Sequence, residues 1–424
     1  MNIAAHVRHE VYEASGADWL GLIPSGWAVK KMKYLFRDHS QKGRPKAELL
    51  SVTQNQGVVP RSWVENRMVM PTGGLDTFKF IEKGDFAISL RSFEGGLEYC
   101  HHDGIISPAY TVLKSWHPDL EPGYYRHLFK SGAFISELQT SVVGIREGKN
   151  ISFVELSHSR MPIPPLPEQR AIAAFLDEKC AKVDEAVRIK EEQIALLRER
   201  RQILIQQAVT RGLNPAAPMK DSGIDWIGQI PAHWEQLANK HIFRLRKTLV
   251  GKRSSEYELL SLTLRGVIKR DMENPEGKFP AEFDTYQEVS PGDFVFCHFD
   301  VEETPRTVGL SEFFGMITGA YTVYSVADGV DPRFLLHFYI YADTDKKMRS
   351  LYKGLRNTIP KDVFGTFKTP LPPIEEQREI VAYIDEASRK IEDAIAIKEE
   401  QIAALKEYKT SLINAAVTGK IKVA

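Results

Sequence analysis

Two stretches of the chain carry one long-helix pattern. In the first, positions that are mostly apolar or small recur in alternating steps of four and three: Leu176, Cys180, Val183, Val187, Lys190, Ile194, Leu197, Arg201, Leu204 and Ala208. The second repeats it as Ile384, Ser388, Ile391, Ile395, Lys398, Ile402, Leu405, Lys409, Leu412 and Ala416. A spacing of 3.5 residues is that of a coiled-coil seam. The first stretch opens on Pro162, Pro164, Pro165 and Pro167, then Glu168, and neither Gly nor Pro follows before Gly212. Proline and a carboxylate suit a first helical turn, so the pattern predicts about 43 helical residues, roughly 65 Å. A helix of that length cannot bury its stripe alone, and the simplest partner is the other copy. Lys190 and Lys398 interrupt the seam at equivalent places, as do Arg201 and Lys409. Either their stems lie along the seam with the charges in water, or they fix register and antiparallel pairing, or meet carboxylates of a partner.

These helices belong to a larger duplication, which decides the fold before any single motif does. Residues 164–213 match residues 372–421 at a constant offset of 208, with 25 of 50 positions identical. SGADWLGLIPSGW at 15–27 corresponds to SGIDWIGQIPAHW at 222–234. Weaker echoes lie between: LLSVT (49–53) with LLSLT (259–263), KGDF (83–86) with PGDF (291–294), and PAYTV (108–112) with GAYTV (319–323). The order is A–B–A′–B′, with blocks at 1–163, 164–215, 216–371 and 372–424. The A blocks read as mixed α/β with many short strands. Strands are predicted at Phe86–Leu90, Ala109–Leu113, Asp293–His298 and Ala320–Tyr324, and helices at Leu128–Leu138 and Phe334–Met348. The two Trp-x-Gly-x-Ile-Pro-x-x-Trp segments are expected to pack the entry of each A block.

Composition narrows the class. Lys and Arg number 56 against 56 Asp and Glu, 43% of residues are hydrophobic and 26% are charged. That balance excludes a disordered chain and a protein that coats nucleic acid by bulk charge. No apolar run approaches the roughly 20 residues of a membrane helix. The N-terminal MNIAAHVRHE lacks a signal-peptide core, so the expected address is cytoplasmic. Cys100, Cys180 and Cys297 lie far apart with no CxxC, which points to neither a disulfide framework nor zinc.

Catalytic motifs are missing. GxxxxGK[ST] is absent, and Gly144 to Asn150 has the wrong spacing and last residue. There is no strand–GxGxxG–helix unit, and Asn214-Pro215-Ala216-Ala217 is not the Asn-Pro-Pro-aromatic motif of amino-methyltransferases. Cys100-His101-His102-Asp103 cannot gather on one ion from a strand, because successive side chains alternate faces. Acidic groupings with lysine (Asp119 with Glu121; Glu147 with Lys149) are of a kind any charged loop produces.

A candidate nucleic-acid surface remains. A divergent loop follows each Gly-Asp-Phe strand: Arg91-Ser92-Phe93-Glu94-Gly95-Gly96 in one copy, His298 to Gly309 with Arg306 in the other. Each copy then carries a Gly-apolar-Arg segment, Gly144-Ile145-Arg146-Glu147-Gly148-Lys149-Asn150 and Gly354-Leu355-Arg356-Asn357-Thr358. Arg, Asn and Ser in such loops can bond base edges or phosphates. The candidate DNA-binding residues are therefore Arg91, Ser92, Phe93, Arg146, Lys149, Asn150, His298, Arg306, Arg356 and Asn357.

The duplicated proline-rich start with Glu-Gln, the long helix ending Ala-Val-Thr, the SG-x-D-W opening and the Gly-Asp-Phe strand together resemble the specificity subunits of type I restriction-modification systems. The resemblance runs from about Ser15 to Lys420, twice over. It implies an α+β fold in which two pseudo-two-fold-related α/β target recognition domains are separated by two long antiparallel coiled-coil helices. It implies a non-catalytic subunit that binds double-stranded DNA at an asymmetric bipartite site. Two modification methyltransferase subunits would dock on the helices, especially Gln169–Thr210 and Gln377–Thr418, and restriction subunits would join them. S-adenosylmethionine, ATP and Mg²⁺ would belong to those partners, with no cofactor in this chain and no membrane partner. The alternatives are a specificity subunit of a methylation-only or combined cutting-modifying system, and a coiled-coil scaffold with no DNA role. With zero net charge, much of the sequence-independent phosphate grip is expected from the partners.

Overall fold

The computed structural model describes residues 6–64, 74–89, 92–143, 150–271 and 282–423. The chain forms two compact units, Met1–Glu191 with Lys398–Ala424 and Glu192–Ile397. Each unit therefore holds one A block and a half of each long helix. Among the described residues no helix is long and apolar enough to cross a membrane.

In the first unit, a four-stranded antiparallel sheet runs in the order Phe36–Asp38, Thr111–Ser115, Phe86–Ile88, Glu98–Tyr99. The second unit has the same order with Phe243–Arg246, Thr322–Val326, Phe294–Phe296 and Val308–Leu310. A β-hairpin stands beside each sheet, Leu50–Thr53 with Gly57–Pro60 and Leu260–Thr263 with Gly266–Lys269. The hairpin tips differ: Gln54-Asn55-Gln56 in the first and Leu264-Arg265 in the second. Both tips close on a glycine of positive φ, Gly57 at 74° and Gly266 at 94°, which the turn requires and a side chain opposes.

The motifs that echo between the copies serve the scaffold. In Gly-Asp-Phe, Asp85 Oδ2 accepts from Glu82 N at 3.0 Å, and Asp293 Oδ2 accepts from Ser290 N at 2.8 Å. Each aspartate thereby closes the turn that launches a central strand. The buried indoles of Trp27 and Trp234 donate to Glu168 Oε2 and Glu376 Oε1, both at 3.0 Å. Beside those glutamates, Gln169 and Gln377 are buried. Gln169 Oε1 accepts from Glu121 N at 2.9 Å, and Gln377 Oε1 accepts from Asp331 N at 2.8 Å. Each glutamine so ties the start of a long helix to the cap of the shorter helix packed on it. The Trp and Glu-Gln motifs, remote in sequence, are two sides of one lock.

The long helices run Leu166–Arg211 and Ile374–Val417, and the seam is as the spacing predicts. Leu176, Val183, Val187, Ile194, Ile384, Ile391 and Leu412 are buried. Leu197, Leu204, Ile395, Ile402 and Leu405 are half-buried. The two helices pair antiparallel within each unit. In the first, Lys190 Nζ donates to Gln401 Oε1 at 2.7 Å and Lys409 Nζ to Asp184 Oδ1 at 2.7 Å. In the second, Arg201 Nη1 donates to Glu392 Oε1 at 2.9 Å. These three seam-interrupting cations thus have partners on the facing helix, and Asp184 and Glu392 are equivalent positions of the repeat.

The structure corrects several element boundaries. The helix expected at Leu128–Leu138 is two, Pro122–Leu128 and Gly132–Thr140, because Ser131 accepts from Phe134 N at 3.3 Å and starts a new helix. The helix expected to reach Met348 ends at Asp343, with Asp345 and Lys346 at positive φ beyond it. Strands placed at Ala109 and Ala320 start two residues later, at Thr111 and Thr322. The preceding Ser107 and Thr318 hydroxyls accept from Ala109 N and Ala320 N and hold those residues in turns. The strand expected over Asp293–His298 is confined to Phe294–Phe296.

Candidate nucleic-acid interface

Of the ten residues proposed from sequence, Arg91, Arg146 and Lys149 lie outside the described residues. Asn150 pairs with Val143 in a short antiparallel ladder. Ser92 and His298 are corrections, since both are buried. The Ser92 hydroxyl accepts from Ser89 N at 2.8 Å and so shapes its own loop. His298 stacks on Phe296 at 5.4 Å and meets Phe364 at 4.8 Å between ring centroids. Burial pushes its pKa down to about 3, with nearby Lys361 acting in the same direction, so the ring stays neutral inside the aromatic core. Phe93 is half-buried and packs against the main core of the first unit.

Arg356 and Asn357 are brought together with the 298–304 segment. Asp300 N donates to Arg356 O at 2.8 Å, and Ile359 N donates to His298 O at 2.8 Å. Asp300 and Asn357 both hold positive φ, 45° and 43°. The Arg356 guanidinium is fixed twice, by a two-pronged pair with Asp300 and by lying 5.4 Å from the Phe299 ring centroid. Its charge is therefore largely answered within the protein. Leu355 beside it is fully exposed.

Arg306 belongs elsewhere. With Leu264, Arg265, Phe313, Leu336 and Ile340 it lines a cleft of about 390 Å³ in the second unit. Leu264 and Arg265 come from the hairpin tip, Leu336 and Ile340 from the helix Pro332–Asp343. Arg306 Nε is buried without a hydrogen-bond partner. The floor is close-fitting at Gly309, where a Cβ would meet Leu262 Cδ1 at 2.6 Å and Val267 Cγ2 at 3.0 Å.

The same place in the first unit is closed. Glu98 stands opposite Ala87 where Gly309 stands opposite Val295. Lys130, nine residues past the Glu121 cap, replaces Ile340, nine past Asp331. Lys130 Nζ donates to Glu98 Oε1 at 2.7 Å, Gly95 O at 2.9 Å and Gln54 O at 3.1 Å. One ammonium thus straps the hairpin tip to the loop after the Gly-Asp-Phe strand. Burial raises the Glu98 pKa from 4.5 to about 7 despite the opposing pull of Lys130. Sequence reasoning missed Gln54, Glu98, Lys130 and Arg265. The available signal was the echo LLSVT/LLSLT, which stops at the tips where the copies part.

Among the described residues no group of three or more His, Cys, Asp or Glu could hold a metal ion. Cys100 is buried, its thiol pushed up to about 12 by burial and donating to His102 O at 3.0 Å. His102 packs edge-on against Trp63, 5.0 Å between centroids. The Cys100–Asp103 segment is thus built into the fold.

No family model matches the chain. It is 23% identical over 95% of its length, and 96% of the relative's, to a Methanocaldococcus jannaschii protein named as the specificity subunit of the type I restriction enzyme MjaX. It is 22% identical to the type I restriction enzyme MjaVIII specificity subunit of the same organism, over 81% of this chain and 80% of that one. Among solved structures, it resembles the HsdS subunit from Thermoanaerobacter tengcongensis with a TM-score of 0.55 and 17% identity, covering 94% of this chain and 98% of the other. A chain from a structural study of complex assembly and conformational transition in a type I R-M system gives a TM-score of 0.65 at 17% identity, covering 93% and 98%.

Proposed function

We propose, for a chain homologous over nearly its whole length to type I restriction specificity subunits, that it selects the DNA site on which a type I restriction-modification complex acts. The observation that carries this reading is a division of labour along the repeat. The Trp–Glu–Gln lock, the Gly-Asp-Phe turn and the helix seam are the same in both units. The hairpin tips and the surfaces beneath them are not. Two units on one scaffold with different tips suit a duplex read at two different half-sites separated by an unread gap, with about one helical turn between centres.

In this reading the long helices carry two copies of a modification methyltransferase subunit, and restriction subunits join the assembly. S-adenosylmethionine, ATP and Mg²⁺ serve those partners. This chain contributes selection and placement, and the adenine to be methylated leaves the stack for a partner's pocket. Methylome sequencing of a host that co-expresses the chain with its modification subunit tests this directly. The expected result is adenine methylation at an asymmetric, bipartite motif. Removing one matched heptad from each helix, residues 191–197 and 399–405, should alter the gap and leave both half-site sequences intact. A changed half-site with an unchanged gap contradicts the helical ruler.

A further inference from the structure

The open cleft of the second unit has a chemistry of its own. Two arginines, Arg265 and Arg306, line it, and neither forms a side-chain hydrogen bond or ion pair among the described residues. Arg306 is half-buried with its Nε shut away from solvent, a costly state for a polar donor unless a ligand supplies an acceptor. Four other arginines of the unit are answered, Arg246 by Asp293, Arg333 by Asp385, Arg349 by Glu302 and Arg356 by Asp300. Beside these donors the lining includes the apolar side chains Leu264, Phe313, Leu336 and Ile340, together with one carboxylate, Glu312. Lys269, 5.7 Å from the Phe313 ring centroid, is itself paired with Glu258 at 3.7 Å.

Paired acceptors next to an apolar surface describe the major-groove edge of a guanine, with O6 and N7, flanked by a thymine methyl. We propose that this cleft is the base-reading site of the second unit, with Arg306 donating to a guanine and the Leu264–Phe313 wall abutting a neighbouring thymine methyl. The inference rests on the specificity reading above. That reading also selects DNA over a protein occupant: two identical modification subunits call for surfaces that both units share, whereas among the described residues the place of this cleft is bridged in the first unit by Lys130 and Glu98. A surface that differs between the units suits the ligand that differs between the halves.

The test uses the complex of the full chain with its modification subunit, and the wild-type methylome first defines the motif. In Arg306→Ala, and separately in Arg265→Ala at the exposed tip, one guanine position in a single half-site should become degenerate. Methylation of the original site should fall about 5- to 150-fold, the range for one lost bidentate base contact, while the other half-site stays fixed. In a duplex carrying the motif, 7-deazaguanine at that position should weaken wild-type binding and leave Arg306→Ala unaffected. Uracil for the adjacent thymine should weaken the wild type less. A wild-type motif kept by both variants, or a half-site pair in which neither change touches a guanine, overturns the proposal. A wild-type methylome with no bipartite motif overturns the specificity reading beneath it, a distinguishable result. Should Arg306→Ala fail to assemble, Arg265→Ala decides alone, because its side chain is exposed.

Discussion

At one position, under the hairpin tip, the two units solve a packing problem in opposite ways. The first inserts a buried ion pair, Lys130 with Glu98, and spends the ammonium's remaining donors on the carbonyls of Gln54 and Gly95. The second has Ile340 and Gly309 there, which leaves an open cleft lined by two unanswered arginines. A polar strap fixes the tip it touches, while an apolar cleft leaves the tip's donors for something else. Divergence therefore needs few substitutions: two residues beneath the tip set whether it is tied down or open, and the sheet order, the caps and the Trp–Glu–Gln lock continue unchanged.

Several measurements can break or sharpen that contrast. The largest effect is expected at the helix ends, where Leu412 is fully buried and its counterpart Leu204 only half-buried. Leu412→Ala should cost about 3 kcal/mol and Leu204→Ala about 1 kcal/mol in denaturant unfolding. Equal costs would show that the units differ only at the tips. Next, Glu98→Ala leaves Lys130 without its carboxylate and should destabilise the first unit by about 2 kcal/mol. Faster amide exchange should appear over Thr53–Gly57, and unchanged protection there would rule out the strap.

Acidification should move the units in opposite directions. Glu98 has a folded pKa raised from 4.5 to about 7, so the folded state binds more protons in that window and stability falls as pH rises through it. His298 has a folded pKa lowered from 6.5 to about 3, so the unfolded state binds more protons and stability falls as pH drops from 6.5 towards 3. Between pH 7 and 5 the first unit should gain protection in hydrogen exchange and the second should lose it. Glu98→Gln and His298→Gln should each flatten one response. The smallest effect concerns the cross-helix pairs Arg201–Glu392 and Lys409–Asp184. Being exposed, each should contribute under about 1 kcal/mol on replacement of the cation by alanine, and a loss above about 2 kcal/mol would give them more than a register role.

The repeat and the helix seam were legible because both are periodic, and a period survives without knowledge of tertiary contacts. Three of the four seam-interrupting cations could be placed opposite partners only with the fold in hand, since Asp184 and Lys409 lie 225 residues apart. The binding surface was less legible, for physical reasons that differ by residue. His298 sits in a polar-looking loop, yet its ring completes an aromatic core supplied by Phe296, Tyr324 and Phe364. Ser92 spends its hydroxyl on the adjacent backbone, a local bond that composition does not reveal. Arg356 stands in a loop as expected, but Asp300, on a separate segment, has already engaged it. Arg265 was overlooked because a two-residue turn carries no motif, and its neighbours Arg306 and Ile340 come from distant segments.

The first unit is built from both ends of the chain, and this orders its assembly in time. Its core includes Leu412, Ala415, Ala416, Val417 and Ile421, and Tyr124 Oη donates to Val417 O across 293 residues. At ordinary synthesis rates the tyrosine waits roughly 15–60 s for its acceptor to be made. The second unit, continuous in sequence, can close earlier. A ribosome that stops short of the last turns would release a chain whose second half is folded while its first half lacks a wall, exposing the apolar stripe around Leu176 to any passing partner. The duplicated gene thus makes translation of the second long helix a condition for the half that was translated first.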